Sequence, residues 1–236
     1  MRCALIAVVL LLLIVAVSVA TADSYVSVWQ DQAQAMQATP SWFGNIGMIV
    51  TPTAATPSPA AGTVEYHRIQ RSPNAINVWG VNVGVANGLE VGGARIDSES
   101  GGSNNVGNVK LAIPAAKWLN NSQVPMMAIG SFDVTDSINR ALYFVMSKGF
   151  QTNGPGSTVV NLHLGLAQNK THSGALHGVF GGAEFQVFSQ GLVQAEYDGD
   201  KFNADFRLGL SNHFSLDVGD LGGDIGYGAT YKSTFK

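Results

Sequence analysis

The sequence has very little cysteine and little charge, and beyond its first residues it has no long apolar run. Only one of the 236 residues is a cysteine, Cys3, and Asp, Glu, Lys and Arg together make up 12% of the chain. A single cysteine cannot form an internal disulfide or a thiolate metal site. The net charge of -3 argues against a nucleic-acid partner, because no basic stripe is present to displace counterions.

Residues 1–22 have the pattern of a secretory signal peptide. Arg2 precedes an apolar run from Ala4 to Val17, and small residues follow up to Ala22, after which cleavage is expected. The alternative is an uncleaved anchor, but the run is short for a span of about 20 residues. Cys3 would leave with the signal, so the mature chain is predicted to contain no cysteine.

Polar and apolar side chains alternate at nearly every step near the C-terminus. The alternation is clearest in 201–210 and returns in 224–235. Successive side chains of a strand point to opposite faces, so each segment has one apolar and one polar face. A membrane barrel turns the apolar face to lipid, whereas a soluble barrel would bury it and place Phe202, Phe206 and Tyr227 in a core.

The spacing of such segments predicts an all-β, antiparallel, up-and-down transmembrane β-barrel of about 12 strands. Residues 23–61 form a polar stretch followed by an aperiodic Gly/Thr/Pro segment that is a candidate plug for the lumen, and 62–236 form the barrel. The predicted strands are 62–71, 75–86, 88–97, 105–113, 124–134, 140–149, 158–168, 177–189, 191–198, 201–210, 213–220 and 224–235.

Three places fit the pattern less well. The connections 114–123 and 151–157 are long on the side where short turns are expected, which puts one or two strands in question, and 114–120 could equally form a small helix. Arg95 shares its face with apolar residues, which a one-residue bulge would correct. The run 142–146 is apolar on both faces and could mark a contact with the N-terminal segment inside the barrel.

The predicted lumen face carries mostly acidic side chains. This composition favours cations or neutral polyhydroxylated solutes, and the alternative is a packed polar network that conducts nothing, because open aqueous channels are typical of about 16 strands or more. Lys148 and Arg207 are the clearest bases on that face. The lumen-facing candidates are Glu65, His67, Glu90, Asp133, Glu184, Glu196, Asp205, Arg207 and Asp217.

No catalytic or metal site is predicted. Glu65 and His67 share one strand face, but two ligands are too few for a metal. The sequence contains no G-x-S-x-G motif of a serine hydrolase, so an outer-membrane hydrolase is a minor alternative. We therefore expect a protein without cofactor, metal or enzymatic activity.

The segment 44–54, GNIGMIVTPTA, resembles the opening segment of YjbH-like outer-membrane β-barrel proteins through Gly44, Gly47, Thr51 and Pro52. The strands that follow it, and the residues 195–204 near the end, match that family in order. The resemblance implies an outer-membrane protein that assists export or anchoring of exopolysaccharide or acts as a narrow pore, with outer-membrane lipid, polysaccharide or export machinery as partners. The alternative is a structural or adhesive surface barrel whose loops bind a partner, and the oligomeric state is left open.

Overall fold

The structure, a computed structural model, describes residues 39–120, 124–151, 159–188 and 190–234. The predicted signal peptide and most of the predicted polar stretch at 23–41 lie outside the described residues.

The described strands close into one antiparallel barrel, in which each strand pairs with its sequence neighbours and the first pairs with the last. This confirms the predicted fold class, strand number and order of strands. The strands are β1 (Ala61–Gln70), β2 (Ile76–Ala86), β3 (Leu89–Ser98), β4 (Ser103–Ile113), β5 (Met126–Phe132), β6 (Ala141–Gln151), β7 (Val159–Asn169), β8 (Gly178–Phe188), β9 (Gly191–Tyr197), β10 (Phe202–Gly209), β11 (Phe214–Leu221) and β12 (Asp224–Thr234).

The barrel has two distinct ends. We call the end where β1 begins and β12 ends the terminal rim, and the opposite end the loop rim. The connection after β4 is on the terminal rim and contains one short helix, α1 (Ala115–Trp118), as the sequence allowed. Within the described ranges, no helix has the length and apolar character needed to cross a membrane.

Apolar side chains face outward around the barrel, and polar ones face inward. Leu142, Leu166 and Val179 on the outer face are 63%, 59% and 55% exposed, whereas Gln194 and Thr230 on the inner face are 0% exposed. Phe202 and Tyr227 lie on the outer face, so the soluble alternative with these rings in a core is wrong. A barrel with a polar interior and an apolar exterior has the pattern of a membrane-spanning barrel.

Aromatic side chains on the outer face cluster near both ends of the strands. At the loop rim, where β9 ends and β10 begins, Tyr197 lies at a tilt against Phe202, with ring centroids 5.0 Å apart. Near the terminal rim, Phe188 lies 6.2 Å from Phe206, measured between ring centroids. Aromatic girdles at two levels flank the lipid-facing band of membrane barrels, because amphipathic rings prefer the membrane interfaces.

Two basic residues differ from the sequence prediction. Arg95 faces outward and forms an ion pair with Asp97 at 2.9 Å near the loop rim, and no bulge in β3 turns it inward. The irregularity in this strand pair lies instead at Gly84/Ala86 of β2. Lys148 was expected in the lumen, but its cross-strand partner is the outward Leu162, which places Lys148 on the outer face.

Residues 39–57, which precede β1, lie within the barrel, and we call residues 39–60 the plug. Trp42, Ile46, Met48, Ile49 and Ala54 are each 0% exposed. The plug leaves the terminal rim through Pro59, which pairs with Gly84, and continues directly into β1. The predicted plug is therefore confirmed, and the lumen is occupied by the chain's own N-terminal segment.

Candidate functional site: the plugged lumen

The plug has an irregular fold that two isolated bridges hold together, Pro40 with Ile46 and Gly47 with Pro52. Gly44 has φ 71°, a left-handed conformation that glycine adopts without strain. A β-carbon at Gly44 would also overlap the backbone of Gly93 in β3. Gly44 is thus explained by a close approach of the plug to the barrel wall, whereas a β-carbon at Gly47 would overlap Thr51 of the plug itself.

Glu196 of β9 is the main polar anchor of the plug. Its carboxylate accepts hydrogen bonds from the amides of Ile49, Val50 and Thr51 at 3.2, 2.8 and 3.1 Å, and from the Thr51 hydroxyl at 2.7 Å. Asn203 of β10 donates to the same carboxylate at 2.8 Å. These bonds satisfy three backbone donors of an irregular segment that would otherwise be buried without partners.

A buried ion pair holds one residue of the plug, Ile46, through both of its backbone polar groups. Lys110 lies 2.9 Å from Glu90, and both side chains are 1% exposed. Glu90 accepts the Ile46 amide at 2.6 Å, and Lys110 donates to the Ile46 carbonyl at 2.6 Å. A buried pair contributes little net stability by itself, so its clearest role is to fix the position of the residue between its charges.

Other inward side chains hold the two ends of the plug. Near its start, Thr39 donates to Glu184 at 3.0 Å and Arg207 donates to the Pro40 carbonyl at 2.9 Å. Near its end, the Ala54 amide donates to the Ser147 hydroxyl at 2.9 Å. The polar contacts to the plug are thus spread around the barrel wall from β3 to β10.

Apolar contacts also hold the plug in this position within the barrel. The Trp42 ring stacks on His67 with centroids 4.7 Å apart and planes 13° from parallel. Ala54 packs in a buried cluster with Tyr143 and Val145 of β6. The run 142–146 is therefore apolar on its inner face because it contacts the plug, as the sequence suggested.

Eight of the nine predicted lumen candidates lie on inward-facing strand positions and are at most 4% exposed. Glu90, Glu184, Glu196 and Arg207 form hydrogen bonds with the plug, and His67 stacks on its Trp42 ring. A further group lies along the wall formed by β1 and β10–β12: Glu65 and His67, whose side chains approach to 3.7 Å, and Asp205 and Asp217, the latter paired with Arg207.

Asp133, the ninth candidate, is fully buried but is not on a strand, because β5 ends at Phe132 and Asp133 opens the following loop. Its carboxylate accepts from the Thr135 hydroxyl at 2.6 Å and from the amides of Ser137, Ile138 and Asn139 at 3.0, 2.6 and 2.9 Å. Burial raises the pKa of the Asp133 carboxyl, but these hydrogen bonds outweigh that effect and hold the pKa below its ordinary value.

We expect Asp133→Asn to loosen the loop 133–139 at the loop rim. Because the pKa of Asp133 is lowered in the folded state, its carboxylate stabilises the fold fully above the ordinary pKa of about 3.9. This contribution to the free energy of unfolding is lost as the pH falls through the lowered pKa. At neutral pH, amide hydrogen exchange at 137–139 should quicken about tenfold. The control is Asp136→Asn in the same loop, which should change exchange there less. Equal exchange in wild type and Asp133→Asn would contradict this role.

Three plug-binding residues were not singled out from the sequence: Lys110, Asn108 and Ser147. Asn108 donates from its amide nitrogen to the carbonyls of Phe43 and Gly44 at 2.8 and 3.1 Å. Lys110 and Asn108 have the polar parity of β4, so the alternation was the signal that marks them, whereas Ser147 shares its face with Tyr143 and Val145 and no alternation in β6 marks it. Among the described residues, no group of three or more His, Cys, Asp or Glu side chains is arranged to hold a metal ion.

A polar cavity of about 370 Å³ lies beside the plug and opens at the terminal rim. Arg207, Lys232, Glu184 and Ser215 line it, together with Thr39 at the start of the described plug.

Comparison with known proteins gives structural likenesses only. No protein-family model matches the chain, and no curated protein matches it. One similar structure is a KdgM porin in complex with disordered oligogalacturonate, with a TM-score of 0.47 and 10% identity over 74% of this chain and 99% of that chain. Another is an outer membrane channel from Pseudomonas putida F1, with a TM-score of 0.41 and 12% identity over 77% of this chain and 97% of that chain.

Proposed function

We propose that this protein is an outer-membrane β-barrel whose narrow lumen is closed at rest by its own N-terminal plug and opens when the plug moves. The observation that carries the proposal is the bonding of inward carboxylates, above all Glu196, to backbone amides of residues 49–51. The apolar exterior with aromatic residues near both rims supports the membrane location.

The lumen offers a polar and predominantly acidic lining once the plug is displaced. Glu65, Asp205 and Asp217 are buried on the wall formed by β1, β10 and β11, with Arg207 as the neighbouring base. An acidic passage of this kind favours cations and neutral hydroxylated solutes over anions. The resemblance of 44–54 to YjbH-like proteins supports the finer proposal that the barrel assists export or anchoring of an envelope polysaccharide.

A disulfide lock tests whether the plug is the gate. The Ala54 amide and the Ser147 hydroxyl oxygen are 2.9 Å apart, which brings these two residues close enough for the Cα separation of about 4.4–6.8 Å that a disulfide needs. With the only native cysteine, Cys3, in the predicted signal peptide, Ala54→Cys with Ser147→Cys introduces one defined pair.

We expect the oxidised double variant to be silent in planar lipid bilayers and the reduced form to show openings that become more frequent with voltage. Ser147→Cys alone, treated with the same oxidant, is the control and should behave like the reduced form. Openings of equal frequency in the oxidised protein would show that the plug is not the gate. Silence in both redox states would exclude a pore and favour the second function below.

The second candidate is a surface barrel whose loops bind a partner, and one observation favours it. The loops after β5 and β7 are linked at the loop rim, where Lys170 lies 2.6 Å from Asp136 and the Asn139 side chain donates to Thr171 at 2.8 Å. These bonds hold an ordered polar surface at one end of the barrel. Replacing the loop 170–175 should then abolish partner binding while conductance and heat-modifiable mobility on denaturing gels are unchanged.

A further inference from the structure

The outer face of the barrel has a deep apolar groove across β6–β10, which we call the outer groove. Its volume is about 620 Å³, within the range of about 300–1,000 Å³ typical of small-molecule sites. Most of the side chains that form it, including those of Leu164, Phe185 and Tyr197, point away from the interior, whereas Ser147, His163 and Glu196 of the inner face also border it. The outer groove is lined mainly by apolar side chains.

The groove exists because three neighbouring outward positions carry almost no side chain. Gly181 and Ala183 lie on β8, and Ala183 pairs with Ala195 on β9. Larger residues stand on both sides of this floor: Leu162 and Leu164 of β7 pair with Ala183 and Gly181, while Tyr197 and Phe202 stand toward β10. A row of short side chains between bulky ones leaves an elongated channel along the strands.

One cationic side chain borders the groove near the terminal rim. Lys148 is three residues from the end of β6, and its ammonium lies 5.6 Å from the ring centroid of Phe150, which is closer to that rim. Both residues line the groove. Lysines near the end of a membrane-spanning segment extend their charge toward the interface, where the phosphates of lipid headgroups lie.

We propose that the outer groove is a binding site for one glycerophospholipid, with an acyl chain along Gly181, Ala183 and Ala195 and the phosphate beside Lys148. The proposal rests on the membrane location proposed above. It is supported by the match between an apolar channel, bordered at its interfacial end by the ammonium of Lys148, and the charge pattern of a phospholipid. A lipid held in this way is distinguished from the surrounding lipid by the depth of its contacts and by its headgroup charge.

The test uses the full mature chain reconstituted in vesicles that contain phosphatidylglycerol with a photoreactive diazirine on one acyl chain. After illumination, mass spectrometry maps the cross-linked residues. We expect cross-links concentrated on β7–β9, and at least a fivefold loss of them in Ala183→Leu with Ala195→Leu, which fills the channel. Ala229→Leu, also on the outer face but in β12, is the matched control and should leave the cross-link map unchanged.

The headgroup is tested with Lys148→Gln and Lys148→Arg and with an uncharged diacylglycerol carrying the same photoreactive chain. Lys148→Gln should lower the phosphatidylglycerol cross-links to the level of the diacylglycerol, and Lys148→Arg should retain them. Cross-links spread evenly around the barrel, or unaffected by the filled channel, would overturn the proposal, as would cross-links between two barrels through β8.

Heat-modifiable mobility of each reconstituted variant separates this proposal from the membrane location itself. If a variant inserts and shows the mobility shift but lacks groove cross-links, the substitution has removed lipid binding in the groove and not membrane insertion. A wild-type chain that fails to insert at all would instead contradict the proposed membrane location.

Discussion

Glu196→Ala is expected to release the plug and convert a silent barrel into one that conducts in planar bilayers. The substitution leaves the amides of Ile49, Val50 and Thr51 and the Thr51 hydroxyl without their acceptor. Each buried donor without a partner costs about 1–3 kcal/mol, so the seated state should lose at least about 3 kcal/mol, or more than a hundredfold in the seating equilibrium.

Two measurements check this expectation on the full chain. Single-channel recording should show frequent openings at voltages where wild type is closed, and amide hydrogen exchange at 49–51 should quicken at least a hundredfold. Glu65→Ala is the matched control, because Glu65 is an equally buried inward glutamate for which the described residues show no hydrogen bond to the plug. If Glu65→Ala opens the barrel as readily, general loss of lumen charge and not plug release is the cause.

Trp42→Ala is expected to produce the largest loss of stability of any single change in the plug. The Trp42 ring is fully buried, stacks on His67 and packs in a cluster with Ile69 and Val78 of the loop-rim half of the barrel. It also occupies the space where a β-carbon at Gly226 of β12 would lie. Removing such a side chain from a packed interior costs about 3–5 kcal/mol, because the cavity cannot fully collapse.

The measurement is the urea midpoint of unfolding of the protein in vesicles. The folded fraction is read from its mobility on denaturing gels, because loss of a tryptophan would alter a fluorescence signal. Trp79→Ala is the control, since Trp79 is 54% exposed on the outer face and does not touch the plug. We expect the Trp42→Ala midpoint to fall clearly below that of wild type and the Trp79→Ala midpoint to fall less. Equal midpoints for the two variants would show that Trp42 does not anchor the plug.

Strand alternation made most of the barrel predictable from the sequence. A strand such as β10 repeats polar and apolar residues without interruption, and a closed barrel requires that pattern in every strand, so the number and order of strands could be inferred. Lys148 was placed on the wrong face because residues 142–146 are apolar at both parities and hide which one faces inward. The parity there is set by a tertiary contact with Ala54, which no local pattern contains.

The contacts between the plug and the barrel strands were less predictable from the sequence than the strands themselves. Residues 44–54 have no periodicity, so the sequence allowed a plug but could not show which carboxylate meets which amide. The bonds from Glu196 to residues 49–51 join positions about 146 residues apart in the chain. The predicted strand 124–134 included Asp133, but β5 ends one residue before it. Asp133 has φ 53°, a left-handed conformation that ends the strand, and no local sequence pattern marks that change.

The closure of the barrel between its first and last strands has a consequence for biogenesis. The plug immediately precedes β1, and β1 pairs with β12 over ten successive residue pairs from Ala61↔Thr234 to Gln70↔Ile225. Since those contacts span almost the whole mature chain, they carry a high entropic cost and form late. The plug must therefore either be in position before β1 pairs with β12 or be inserted into an already closed barrel. If the plug is in position first, it acts as a template around which the sheet closes.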